Sequence, residues 1–159
     1  MNRKFIALTV TILVAAVGVT TAWATDALGT VSATLFARGT FTEPVRTSVF
    51  SSDGIYLATD STTDHVVQTI TFGADSTSGW HRHPGVVLVT VKSGTLTRYD
   101  SRCGSETVTA GQSFWESSGH DAGLVRNEGT DPVVVYVTYI IPTDAPLRIN
   151  TANPGCSVH

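Results

Sequence analysis

The sequence predicts a single all-β domain, a sandwich or a barrel, behind an export leader. Three observations carry that expectation. β-Branched residues dominate nearly every apolar run after residue 24. Clusters of Gly, Asp, Ser and Pro separate those runs at regular short intervals. No apolar pattern of helical period survives beyond the first two dozen residues.

The leader comes first in the chain. "MNRK" supplies Arg3 and Lys4, the uncharged run "FIALTVTILVAAVGVTT" follows, and "TAWA" ends with Ala22 and Ala24 at cleavage-type positions. This reads as a signal peptide over 1–24, cut after Ala24, with residues 25–159 as the mature, secreted domain. The alternative is a membrane anchor. The apolar run is short for a span of ~20 residues, and no basic stop-transfer cluster follows it. After cleavage no membrane partner is expected.

Candidate strands then follow at 30–37, 46–51, 54–59, 65–72, 85–94, 95–100, 106–111, 113–117, 122–129 and 131–141. "SSDG", "FGADSTSG", "KSGT" and "NEGTDP" mark the turns. Residues 142–159, "PTDAPLRINTANPGCSVH", read as an irregular tail. No repeat, linker or second domain is evident.

Charge excludes some functions. The chain holds 13 Asp+Glu against 10 Lys+Arg, a formal net charge of −3, and loss of Arg3 and Lys4 with the leader makes it more negative. Nucleic acid calls for a basic patch, so none is expected as a partner. The two cysteines, Cys103 and Cys156, are an even pair in an exported chain and read as a disulfide. Closing that loop is worth about 4 kcal/mol in the chain-entropy model. The alternative is two free thiols.

The chemistry concentrates in "STSGWHRHPG" (76–85). Strand alternation places His81 and His83 on one face, with Trp80 and Arg82 on the other. With a rise of ~3.3 Å per residue the two Cα atoms lie roughly 7 Å apart, close enough for both imidazoles to reach one ion. Other reactive patterns are missing: there is no GxSxG elbow, phosphate-binding loop, HExxH helix or calcium loop.

"GWHRHPGVVLVTVKSGTLTRYD", followed by "TVTAGQSFWESSGHDAGLVRNEGTDPVVVYVTYI", resembles the two motifs of the cupin family. The match covers 66–141. More narrowly, the string is similar to small exported actinobacterial proteins with a "WHxHPG" core. The resemblance implies a double-stranded β-helix, or jelly-roll, barrel. His81 and His83 match the paired histidines, Gly94 and Gly111 the motif glycines, and Asn127 the closing Asn. The family's glutamate, however, falls on Val87 and its third histidine on Gly123. Two of four expected ligands are therefore replaced by residues that donate nothing to a metal.

Neighbours are available to fill the gap. His120 lies near the start of the Gly123 strand. Glu116 shares a face with Phe114 on "SFWES", and two histidines with one carboxylate form a recognised iron(II) arrangement. Gln68 shares a face with Ile70 and Phe72. Trp80, Gln68, Phe114 and Asn127 are expected to line a pocket, while Asn127 also suits a turn-fixing role. The cofactor implied is a divalent Fe, Mn, Ni or Zn ion, or none.

Two functions stay open: a small-ligand-binding or structural module with a degenerate metal site, and a metal-dependent enzyme of dioxygenase or isomerase type. The resemblance also implies a homodimer.

Overall fold

Alternation of period two builds the barrel. In the computed structural model, which describes residues 25–47, 57–116, 119 and 121–159, twelve strands run β1 (Val31–Thr40), β2 (Arg46–Thr47), β3 (Leu57–Ala58), β4 (Thr63–Phe72), β5 (His81–Arg82), β6 (Val86–Ser93), β7 (Thr95–Asp100), β8 (Ser105–Thr109), β9 (Ser113–Glu116), β10 (Gly123–Arg126), β11 (Val133–Pro142) and β12 (Ile149–Asn150). The leader, parts of the segments 46–51 and 54–59, and His120 lie outside the described residues.

One five-stranded sheet has the order β1-β4-β11-β6-β9 and a second the order β12-β5-β10-β7-β8, while β2 and β3 form a separate ribbon. All strand pairs are antiparallel. Strand β11 shows the rule that closes the barrel. Val133, Val135, Val137, Tyr139 and Ile141 are buried, while Val134, Tyr136, Thr138 and Ile140 between them are less so. The buried set meets Val66, Phe72, Val89, Leu96, Val108 and Val125 from the other strands in one core.

Strand β10 is buried on both sides. Val125 joins the main core, whereas Leu124 packs with Trp80 and Cys156 in a second, smaller cluster. That cluster exists because the tail folds back over the second sheet. Cys103 and Cys156 form a disulfide, so the expected pairing is present, and Trp80 donates its indole N–H to the carbonyl of Val158 at 3.2 Å.

The tail is more ordered than its composition implies. Ile149 and Asn150 form β12 and pair with Arg82 and His81 of β5. Two-residue strands leave no periodic trace, and both β5 and β12 escape a reading based on apolar alternation.

Asp64 ties the first sheet to the tail. Its buried carboxylate accepts from Arg38 Nε at 2.7 Å, Thr40 Oγ1 at 2.7 Å and the Asp144 backbone N–H at 3.1 Å. The Thr40 hydrogen bond foremost, with those of Asp144 and Arg38, outweighs the opposing effect of burial and holds the carboxyl below its usual value.

Two outcomes follow from these ties. A depressed folded pKa contributes stability that is present above the unfolded carboxyl value of ~3.9 and lost as pH falls through the folded value. Asp64→Asn therefore lowers the melting temperature at pH 7, and its gap from the parent narrows below about pH 4 in thermal melts. Cys103→Ser with Cys156→Ser costs about 4 kcal/mol in urea unfolding and red-shifts the tryptophan emission as Trp80 loses its cover.

Candidate metal centre

Gly79 sets the entry to the site. Its φ is +68°, and a Cβ there would lie 2.4 Å from the Asp26 carbonyl oxygen. Only glycine lets the chain pass under Asp26 and turn into β5. Its carbonyl oxygen then accepts from His81 Nδ1 at 2.9 Å. On the other side, the Leu147 carbonyl from the tail accepts from His83 Nδ1 at 2.7 Å. Because carbonyl oxygens only accept, both imidazoles carry a proton on Nδ1 and turn Nε2 inward.

Glu116 meets them there. Its Oε2 lies 2.8 Å from His83 Nε2 and 4.0 Å from His81 Nε2. The three ligand atoms fall within 4.8 Å of one another. Both carboxylate-to-imidazole distances are shorter than twice a ~2.1 Å metal–ligand bond. The two rings stand edge to face with centroids 4.8 Å apart.

Electrostatics prepare the donors. Burial pulls His81 down to about 4, against the raising effect of the Glu116 charge. The ring is thus neutral near pH 7 and its Nε2 lone pair is free. For Glu116 burial is the largest influence and raises the carboxyl. The His83 hydrogen bond, with the charges of His81, His83 and Arg98, reverses this and leaves it below its usual value.

His83 carries the most telling geometry. Its Nδ1 is committed to Leu147, yet Nε2 sits 2.8 Å from a carboxylate oxygen. A proton on Nε2 makes this an ordinary hydrogen bond to the carboxylate, and a metal ion in the place of that proton would be held by the same two atoms. The donor set, two imidazoles and one carboxylate with the Gly79 and Leu147 carbonyls fixing the tautomers, fits Fe, Mn, Ni or Zn.

The site lies where two hollows meet. An inner cavity of about 310 Å³ occupies the barrel and includes Gln68, Ile70, Phe72, Leu96 and Tyr139 in its wall. An outer cleft of about 480 Å³ is bordered by Arg82, Arg98, Tyr99, Trp115 and Gly123. His81, His83, Phe114 and Glu116 line both.

No family model matches the chain, and no curated protein does. A cupin-like protein from Thermotoga maritima superposes with a TM-score of 0.52 at 14% identity, covering 80% of each chain. The fold is the cupin barrel. A conserved Klebsiella pneumoniae protein with a double-stranded β-helix domain gives 0.49 at 22% identity, over 69% of this chain and 85% of its own. A cupin 2 barrel protein from Leptotrichia buccalis gives 0.48 at 16%, over 70% of this chain. The chain spans 41% of that longer protein's length.

Within the cupin barrel the two substituted motif positions have defined surroundings. Val87 is directly opposite Glu116 across the β6–β9 pair. Gly123 is directly opposite His81 across the β5–β10 pair, and a Cβ there would meet only the Tyr99 carbonyl oxygen, at 3.6 Å.

The expected pocket residues divide. Gln68 and Phe114 line the inner cavity. Trp80 and Asn127 border neither hollow. Trp80 follows the strand alternation and points from His81's opposite face into the tail cluster. Asn127 is buried and donates to the carbonyls of Phe72, Gly73 and Asp131, which locks the end of β4 to the 127–131 turn.

Sequence reasoning missed Tyr139 and Arg148. Tyr139 has the inward parity of its strand, and Arg148 is the one basic side chain of the tail, so both carried a usable signal.

Gly79→Ala is expected to destabilise the fold by about 2 kcal/mol or more, from the left-handed backbone and the Asp26 clash together. Urea unfolding measures the loss.

Proposed function

We propose that this cupin barrel is a metal-dependent protein acting on a small organic molecule, with His81, His83 and Glu116 as the ligands of one divalent ion. The observation that carries this reading is the convergence of His81, His83 and Glu116, whose ligand atoms lie within 4.8 Å of one another. Three protein ligands leave coordination positions open, and open positions distinguish reactive centres from closed structural ones. Bound there, the ion supplies Lewis-acid polarisation or, as iron, oxygen activation. The chain's own residues fix the imidazoles, exclude water from the apolar side and admit the ligand through the outer cleft.

A second reading, a ligand-binding module without metal, is favoured by the replacement of two motif ligands at Val87 and Gly123. Export fits the disulfide, which belongs to an oxidising compartment. Among the described residues no helix is long and apolar enough to cross a membrane. A homodimer is part of the proposal, supported by Leu88, Trp115 and Tyr136 exposed on the first sheet.

Elemental mass spectrometry on the untagged mature protein tests the metal. One ion per chain is expected, and none in a His81→Ala/His83→Ala variant. At a metal concentration 100 times Kd the parent gains about 2.7 kcal/mol, or roughly 5–10 °C in melting temperature. A protein that carries no metal, and takes up none from Fe²⁺, Mn²⁺, Ni²⁺ or Zn²⁺, overturns the reading.

A further inference from the structure

The inner cavity holds a cation that the metal centre does not use. Arg148 lines it beside His81, His83, Glu116 and Tyr139. Its Nη2 donates to the Ser78 carbonyl at 2.9 Å and its Nε to Asn150 Oδ1 at 2.9 Å, while Nη1 has no partner among the described residues. Arg38, Arg98 and Arg102 each face a carboxylate, whereas Arg148 has no ion pair among the described residues. Burial lowers its pKa, as expected of a guanidinium that lacks a full shell of water or acid.

Tyr139 adds a second donor. Its oxygen accepts from Gln68 Nε2, so its own hydroxyl proton remains to be given. Burial, with the charge of Glu116, raises its pKa and keeps the phenol protonated.

Apart from Gln68 and Ser78 the rest of the cavity wall is apolar, with Ile70, Phe72, Val89, Leu96, Val135 and Val137 in it. A volume of about 310 Å³ sits at the small end of the range for organic ligands, ~300–1,000 Å³. Charge completes the description of the occupant. A divalent ion together with Arg148 carries three positive charges against the one negative charge of Glu116, so an anionic occupant reduces an imbalance that apolar walls make costly.

We propose that the inner cavity binds a small monocarboxylic acid with an apolar body, its carboxylate held by Arg148 and Tyr139 and its chain against the valine and phenylalanine wall. This rests on the reading of the cavity as the ligand chamber of the metal centre. A neutral molecule of the same shape leaves the guanidinium without a partner and is bound less well.

Isothermal titration of the mature, disulfide-bonded protein with octanoate and with octan-1-ol tests the proposal, with and without Zn²⁺. Octanoate is expected to bind about tenfold or more tightly than the alcohol. Arg148→Gln removes that preference while retaining octan-1-ol binding and the metal content of the parent. Arg148→Lys restores part of it. Equal binding of acid and alcohol by the parent, or no octanoate binding at all, overturns the proposal without reference to any variant. Metal uptake is read separately by elemental analysis. If the protein takes no metal yet keeps an Arg148-dependent preference for octanoate, the carboxylate site stands and the metal reading falls. If it takes one ion and shows no preference, the reverse holds.

Discussion

A carboxylate inside an apolar barrel needs a cation, and the site is arranged around that requirement. Glu116 projects from β9 into the hollow with Phe114, while Trp115 between them is 63% exposed on the outside. Left alone, such a carboxylate would take up a proton rather than stay charged. His83 answers it at 2.8 Å, and His83 can do so only because the Leu147 carbonyl fixes its other nitrogen. His81 is held by a carbonyl in the same way, from Gly79. Each inward Nε2 is thus the consequence of a backbone oxygen outside the hollow.

On the proposed metal reading, the position of Glu116 offsets the valine at 87. Residues directly opposite one another on antiparallel strands have Cβ atoms about 5 Å apart. Val87 and Glu116 are such a pair. A carboxylate moved from β6 to β9 therefore shifts by one strand spacing, within the reach of a glutamate side chain. The third histidine has no such replacement among the described residues. Gly123, opposite His81, leaves open space on the outer side, next to the cleft bordered by Arg82, Arg98 and Tyr99. The glycine at 123 thus leaves the cleft beside the centre open.

Much of this was legible from alternation alone. The period-two rule placed His81 with His83, Glu116 with Phe114, and Gln68 with Ile70 and Phe72, and the structure has each set on one face. The rule also puts Trp80 opposite His81, so expecting it in the pocket ran against its own parity. Asn127 suits a turn-fixing role, with its amide N–H groups given to three backbone carbonyls and its oxygen accepting from the Gly129 N–H. The tail was illegible for a different reason. Its contribution is made by a two-residue strand, one carbonyl and one guanidinium. Neither the strand nor the carbonyl has a periodic or compositional signature, and the guanidinium shows only as the single Lys or Arg of the tail.

That tail nevertheless forms one wall of the site. Leu147 and Arg148 are consecutive residues, so the carbonyl that orients His83 and the cation beside Glu116 are positioned by one short stretch of backbone. Asn150, two residues on, pairs with His81, and Thr151 exchanges its backbone N–H for the Trp80 carbonyl at 3.0 Å. The stretch has few apolar anchors of its own, since Leu147 only partly joins the core. It is therefore held mainly by hydrogen bonds and by the disulfide that fixes Cys156 to Cys103. Segments with little buried apolar area open at lower free energy than the strands they cover. The disulfide removes much of that freedom from the chain beyond Thr151. By this route a bond remote in sequence from the histidines supports the site: the bridge anchors the tail, and the tail presents the Leu147 carbonyl that orients His83 and the strand that pairs with His81.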